Sequence, residues 1–285
     1  MTKAIILRPR KLSDWDRIVP MWLHGRPEST CGTYRPQIED FRIFVNSKPL
    51  GAITLKDLQD YQDQFADQKP ATVKRKLATV KSLLAFSQKT GLIPFNVGAA
   101  LRSPKVPDEL ADRILTEADV QKMIKCEPVE RNQVLLRVMY ISGIRASEAS
   151  GLRWRDVQPR EIAGQITVLG KGSKTRSIRL SEPVWKALLK HRKNAGPNDP
   201  VFQIGSGKPM SRFHITIAVH AAARRAGISS KASAHALRHT HATVAMEKGA
   251  PLALIQHTLG HTNLAVTSRY IHVRPDESSS KYVSA

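Results

Sequence analysis

Six side chains in the second half of this 285-residue sequence could act on a charged substrate, and each stands where the chain is expected to turn. Arg145 follows Gly143 at a helix junction, and Lys171 sits between Gly170 and Gly172. His235 and Arg238 stand three residues apart, a spacing that shares one face of a helix. His261 follows Gly260, and Tyr270 comes nine residues later. Each also has an ordinary structural reading: Arg145 can pair locally with Glu148, and Lys171 can simply face solvent in its turn. Five histidines (His235, His239, His241, His257, His261) raise zinc, but no cysteine lies near them. Their spacing matches neither the common zinc patterns nor HExxH. The GKGSK stretch from Gly170 to Lys174 looks like a phosphate loop in composition only. It lacks the GxxxxGK[ST] spacing and lies between two expected strands instead of leading into a helix. Neither a metal nor any other cofactor is expected.

The rest of the sequence bounds the partner. Lys and Arg number 45 against 24 Asp and Glu, a formal net charge of +21. That excess exceeds what solubility requires and points to a polyanion, DNA or RNA first, with a ribosomal role or an anionic membrane surface as alternatives. A hydrophobic share of 41% allows real cores, in one or two domains. Cys31 and Cys126 form neither a metal pattern nor a disulfide framework, which favours a reducing, cytoplasmic setting. The opening MTKAIILRPRK has no long apolar core and does not read as a signal peptide. No stretch approaches 18 apolar residues, so no membrane insertion is expected.

The elements that must carry these residues are mostly helical. Ser13 with Asp16, Thr54 with Asp57 and Thr116 with Asp119 resemble capping boxes, with Asp in place of the preferred Glu. Ile38, Phe41, Phe44 and Val45 recur at helical spacing, as do Val73, Leu77, Val80, Leu84 and Phe86. Both stripes read as helical core. Beside the second, Lys69, Lys74, Arg75, Lys76 and Lys81 cluster with no acidic residue among them. A phosphate-tracking surface and a merely solvated face are about equally good readings of that cluster. Pro104 and Pro107 break the pattern in RSPKVPDEL, which reads as an extended linker. The expected organisation is a helical domain over residues 1–103, a linker over 104–110 and a second domain over 111–285. In the latter, Asn132 to Ser142 is apolar nearly all round and reads as a buried helix that Gly143 ends or bends. Ile166–Leu169 and Ser177–Leu180 read as two short strands around GKGSKTR, with Gly170 and Gly172 supplying unusual backbone angles. After Pro209 the pattern is helical to about Tyr270, and the last residues form a polar tail.

Together these segments resemble the tyrosine recombinase (phage integrase) family. YISGIRASEASGLRWRDV, Tyr140 to Val157, is similar to the family's first catalytic box, with Arg145 as its arginine and Glu148 as its structural acid. VLGKGSKTRSIRL, Val168 to Leu180, is similar to the catalytic-lysine hairpin with Lys171 at its tip. HALRHTHAT carries the His-x-x-Arg box as His235 and Arg238, and LGHTNLAVTSRYIHV supplies His261 and Tyr270. The boxes occur in the family's order, and the first hundred residues resemble, more weakly, its helical core-binding domain. The likeness is greatest to short, two-domain, Xer-like members. His241 departs from the pattern, standing where many relatives have an apolar or aromatic residue; packing or surface variation explains it better than an added DNA contact.

The resemblance implies a mainly helical fold with a small β-sheet in the catalytic domain, and a reaction in which Tyr270 attacks a DNA phosphodiester. Arg145, Arg238 and His261 would hold the phosphate, donating to oxygens on which negative charge builds. A tyrosine hydroxyl, with a reference pKa of about 10, needs cationic neighbours and a base, for which His235 is the choice. Lys171 would protonate the departing 5′ oxygen, and Glu148 would orient Arg145 or a nearby backbone group. The product would be a 3′-phosphotyrosyl link, resolved by a 5′ hydroxyl without ATP or metal. The implied partners are paired sites on duplex DNA in a homo-tetramer or heterotetramer with exchange of C-terminal segments, with an accessory protein in some roles. A cytoplasmic, nucleoid-associated protein is expected. Chromosome-dimer resolution, mobile-element integration or excision, and inversion share this catalytic unit. A relaxing topoisomerase, a hairpin-forming resolvase or an architectural DNA-binding protein with the same fold are the competing readings, and Tyr282 is the fallback nucleophile.

Overall fold

The computed structural model describes residues 13–107, 114–170, 174–228 and 232–260. The chain divides into two compact units between Pro107 and Asp108, inside the proline-bearing segment.

The first unit is helical: α1 (Asp14–Leu23), α2 (Glu28–Phe44), α3 (Leu55–Asp63) and α4 (Pro70–Lys89), with short 3₁₀ turns at Leu50–Ala52 and Val97–Ala99. The capping boxes at Ser13 and Thr54 form as expected, each hydroxyl accepting from the N3 backbone N–H and each Asp accepting from the cap N–H. Pro70 begins α4, where a missing N–H is harmless. The two apolar stripes meet as the core: Ile38 and Phe41 of α2 and Val73, Leu77, Val80 and Leu84 of α4 are buried, together with Trp15, Trp22 and Tyr61. The Tyr61 hydroxyl donates to Asp40 Oδ2 at 2.9 Å. Burial first, and then this carboxylate, push the phenol well above its ordinary range.

The basic cluster on α4 does not form one outward face. Lys69, Lys74 and Arg75 are exposed. Lys76 turns inward, its ammonium 3.7 Å from the centre of the Phe65 ring and 3.8 Å from Asp40 Oδ2. Lys81 donates to the Leu101 carbonyl at 2.8 Å. Sequence separation hid both partners, since Asp40 and Leu101 come from outside the helix.

In the second unit, α5 (Glu117–Lys125) opens on the Thr116–Asp119 capping box, and α6 (Glu130–Ser142) is the buried helix expected there. Then come α7 (Ala146–Gly151), β1 (Val157–Arg160), β2 (Ala163–Leu169), β3 (Thr175–Leu180), α8 (Glu182–Arg192), α9 (Arg212–Arg225), α10 (Ala234–Glu247) and α11 (Leu252–Leu259). The three strands form an antiparallel sheet in the order β1-β2-β3. β1 and α8 have no counterpart in the sequence reading. Only Val157 of β1 is buried, so no alternation shows, and Pro159 argues against a strand. It is tolerated because β1 lies at the sheet edge. Gly170 also differs from expectation. It does not adopt a positive φ. Its need is space: a Cβ would come within 3.3 Å of the Lys174 carbonyl oxygen and 3.4 Å of Arg176 Nη1. No helix among the described residues is long and apolar enough to cross a membrane.

Candidate active site

The site begins where α6 stops. Gly143 caps that helix at φ +60°, a left-handed conformation that costs glycine little. A Cβ here would also come within 2.7 Å of Leu259 Cδ2 and 2.8 Å of His241 Cδ2, so two constraints select glycine. The turn delivers Arg145 to the N-cap of α7 with an extended backbone. Glu148, three residues on, accepts the Arg145 backbone N–H at Oε2 (2.8 Å) and its Nη1 at Oε1 (2.9 Å). Glu148 thus touches both the side chain and the backbone of Arg145, and the simple local ion pair is part of a larger arrangement.

The larger arrangement contains Arg176, which the sequence reading did not single out. It reaches in from β3 and binds the same carboxylate in a fork: Nη1 to Oε1 and Nη2 to Oε2, both at 2.9 Å. Its Nε donates to the Thr258 carbonyl at 2.7 Å. The Arg176 and Glu148 side chains are 7% and 3% exposed, against 35% for Arg145, so one guanidinium is internal while the other faces outward. Burial alone would raise the Glu148 carboxyl. The Arg176 hydrogen bonds, the Arg145 N–H and both cationic charges outweigh it and hold the group below its usual range. A signal existed in the strand pattern: Arg176 alternates with Ile178 and Leu180 on the buried face of β3.

Arg238 of α10 is buried as well, at 1% exposure. Its Nη1 donates to the Gly143 carbonyl at 2.7 Å and its Nη2 to the Leu259 carbonyl at 2.6 Å. Two guanidiniums therefore meet the last carbonyls of α11, where unpaired acceptors and the negative end of the helix dipole favour cations. Gly260 caps this helix at φ +63°, and a Cβ there would approach Arg176 Nη1 to 3.0 Å. His235 sits three residues before Arg238 on the same helix but is exposed.

A cleft of about 440 Å³ lies over these elements. Arg145 and Ser147 line it from the α7 end, His235 and Ser233 from the α10 end, and Arg212 and Phe213 from the start of α9. The fold thus brings Arg145 and His235 to one opening, with Arg238 near the Arg145 turn. The α9 residues were not anticipated. Lys171, His261, Tyr270 and the fallback Tyr282 lie outside the described residues. Among the described residues no three His, Cys, Asp or Glu side chains gather as a metal site.

His241 packs behind the Gly143 turn. Burial pushes its imidazole down, a hydrogen bond with the Tyr140 backbone partly opposes this, and the Arg238 charge pushes it down further. Above pH 6.5 the histidine is neutral in both folded and unfolded chains. As pH falls below 6.5 the unfolded chain takes up a proton that the folded one resists, so stability declines until the lower folded pKa is passed. The expected result is a smaller fall in Tm between pH 7 and pH 5.5 for His241→Gln than for the wild type, read by thermal melting across pH.

The phage integrase family matches residues 113–277. The chain is 30% identical over 266 residues to the tyrosine recombinase XerC of Thermodesulfovibrio yellowstonii, covering 87% of each. Among solved structures, it is similar to a lambda integrase fragment crystallised as a dimer bound to a COC′ core site. The TM-score is 0.76 at 20% identity, covering 92% of this chain and 95% of that one. It is also similar to a lambda integrase tetramer bound to a Holliday junction, with a TM-score of 0.75 at 21% identity, covering 92% and 77%.

Proposed function

The chain belongs to the phage integrase family, the tyrosine recombinases, and from that premise we propose that it cleaves and rejoins duplex DNA at specific sites through a 3′-phosphotyrosyl link to Tyr270. The observation that carries this reading is the arginine held at the cleft: Arg145 is aimed by a buried carboxylate and opens onto the same space as His235.

The chemistry follows from charge. A phosphodiester approaching the cleft meets the Arg145 guanidinium, a planar, permanently protonated fork suited to two non-bridging oxygens. Arg238 is assigned as the second guanidinium, fixed by two carbonyls close to the Arg145 turn. His261 is assigned as a further donor. Tyr270 gives up its proton to His235 as its oxygen attacks phosphorus, and the bond to the 5′ oxygen breaks. Lys171 delivers the proton that makes this oxygen a free 5′ hydroxyl. The phosphorus keeps an ester bond throughout, so a 5′ hydroxyl from a partner strand reverses the step without ATP. The fixed cations supply the charge stabilisation, because they need not reorganise as negative charge grows.

The remaining parts serve binding and assembly. Lys69, Lys74 and Arg75 are the exposed members of the basic cluster and are assigned to DNA-backbone contacts in the first unit. Lys76 and Lys81 support that helix from within. The resemblance to a tetramer on a Holliday junction supports a tetrameric assembly on DNA; a homo-tetramer or heterotetramer on paired sites, acting in the cytoplasm on nucleoid DNA, completes the proposal.

The test is a nicked suicide duplex carrying a candidate site from the gene's own neighbourhood, incubated with protein in EDTA and run on a denaturing gel. A covalent adduct, followed by exchange between two site-bearing duplexes, is the expected outcome. Relaxed circles or hairpin ends without exchange would place the chain among topoisomerases or resolvases. Tight, site-selective binding with no adduct would make it architectural.

A further inference from the structure

The Glu148 carboxylate accepts four hydrogen bonds, two from Arg145 and two from Arg176. The side chains of this trio carry two positive charges and one negative, so one cation is left over. Which arginine keeps it depends on geometry. Arg176 is internal and holds both carboxylate oxygens in the bidentate arrangement that guanidinium and carboxylate favour. Arg145 reaches only one oxygen with its side chain and remains a third exposed at the cleft. The carboxylate is therefore matched mainly from within.

We propose that Arg176 is a positioning residue whose charge engages Glu148 and so leaves the Arg145 guanidinium available to a phosphate. The inference rests on the reading of Arg145 as a phosphate ligand. Without Arg176, Glu148 would keep, among the described residues, only Arg145 as a cationic partner and would close on it as a neutral pair. A neutral pair offers a DNA phosphate no net attraction. Arg176 adds a second, mechanical link through Thr258. That bond ties β3, which comes after Lys171 in the sequence, to the last turn of α11, which comes before His261. Lysine at this position would keep a charge beside Glu148 but, as a compact ammonium, would not reproduce the planar fork.

The consequence is read in the salt dependence of DNA binding, which counts phosphate contacts and is insensitive to a loss of active protein. In the full chain carrying Tyr270→Phe, so that no strand is cut, duplex affinity is measured by fluorescence anisotropy across a salt series. Arg176→Met should make the negative slope of log affinity against log salt shallower by about 0.9, the value of one phosphate contact. Removing the carboxylate charge as well, in Arg176→Met/Glu148→Gln, should restore that slope, because a neutral amide cannot neutralise Arg145. Arg176→Lys should stay near the starting slope. A purely structural Arg176 predicts the opposite pattern: an unchanged slope in Arg176→Met, or a double variant as shallow as the single one, and either result overturns the proposal. With Tyr270 restored, the adduct assay judges the reaction separately. A wild type that forms no adduct while the slopes follow the expected pattern would refute tyrosine cleavage and still uphold the role of Arg176.

Discussion

Tyr270→Phe should form no covalent adduct with DNA while its duplex affinity stays within about twofold of the wild type. The substitution removes one oxygen atom and little else. If that oxygen is the atom that attacks phosphorus, no residual chemistry is available from the ring, and the loss is on the order of 10⁴-fold or more. The binding surface is left intact, since the basic residues assigned to the phosphate backbone are elsewhere. Denaturing electrophoresis of the suicide-duplex reaction reads the first quantity and anisotropy reads the second. Persistent adduct in Tyr270→Phe would transfer the nucleophile to another residue. Tyr282 would be tested next, by the same substitution.

Glu148→Ala should unfold about 3–5 kcal/mol more easily than the wild type, a difference that urea denaturation of the full chain would read. The change leaves Arg176, with its side chain 7% exposed, as an uncompensated internal cation and takes the acceptor from the Arg145 backbone N–H. Losing one member of a buried pair costs far more than losing both. Arg176→Met/Glu148→Gln should therefore return to within about 2 kcal/mol of the wild type. Acid makes the same point. The Glu148 carboxyl titrates below its ordinary 4.5 in the folded chain, so its stabilising contribution is fully present above pH 4.5. That contribution is lost as pH drops through the folded pKa, and the double variant should not show this component of acid sensitivity. A single variant no less stable than the double would remove the case for a buried charge triad.

Much of the helical framework was legible in the sequence because its causes are local. A hydroxyl and a carboxylate three residues apart cap a helix wherever they occur, and all three such pairs do so here. Apolar spacing marked α2 and α4, since burial of one stripe needs only the 3.6-residue period, and an apolar run nearly all round marked α6 as buried. β1 was illegible for a matching reason: it owes its pairing to β2, and its own residues show no alternation and only Val157 as apolar, buried content. The order of the chemical boxes likewise singled out Arg145, His235 and Arg238, of which Arg145 and His235 line one cleft.

The residue types, their order along the chain and the excess of positive charge were determined by the sequence alone, because each is a property of short segments or of composition. Tertiary structure decided which charges face outward. Lys76 and Lys81 belong to a basic cluster in the sequence, yet packing gives them Asp40, Phe65 and Leu101 as partners. Arg176 lies 28 residues from Glu148 and 82 from Thr258, and only the packing of β3 against α7 and α11 brings the three together. Charge is additive along a sequence, but its availability depends on distance and burial. Those are set when segments far apart in the chain are folded against one another.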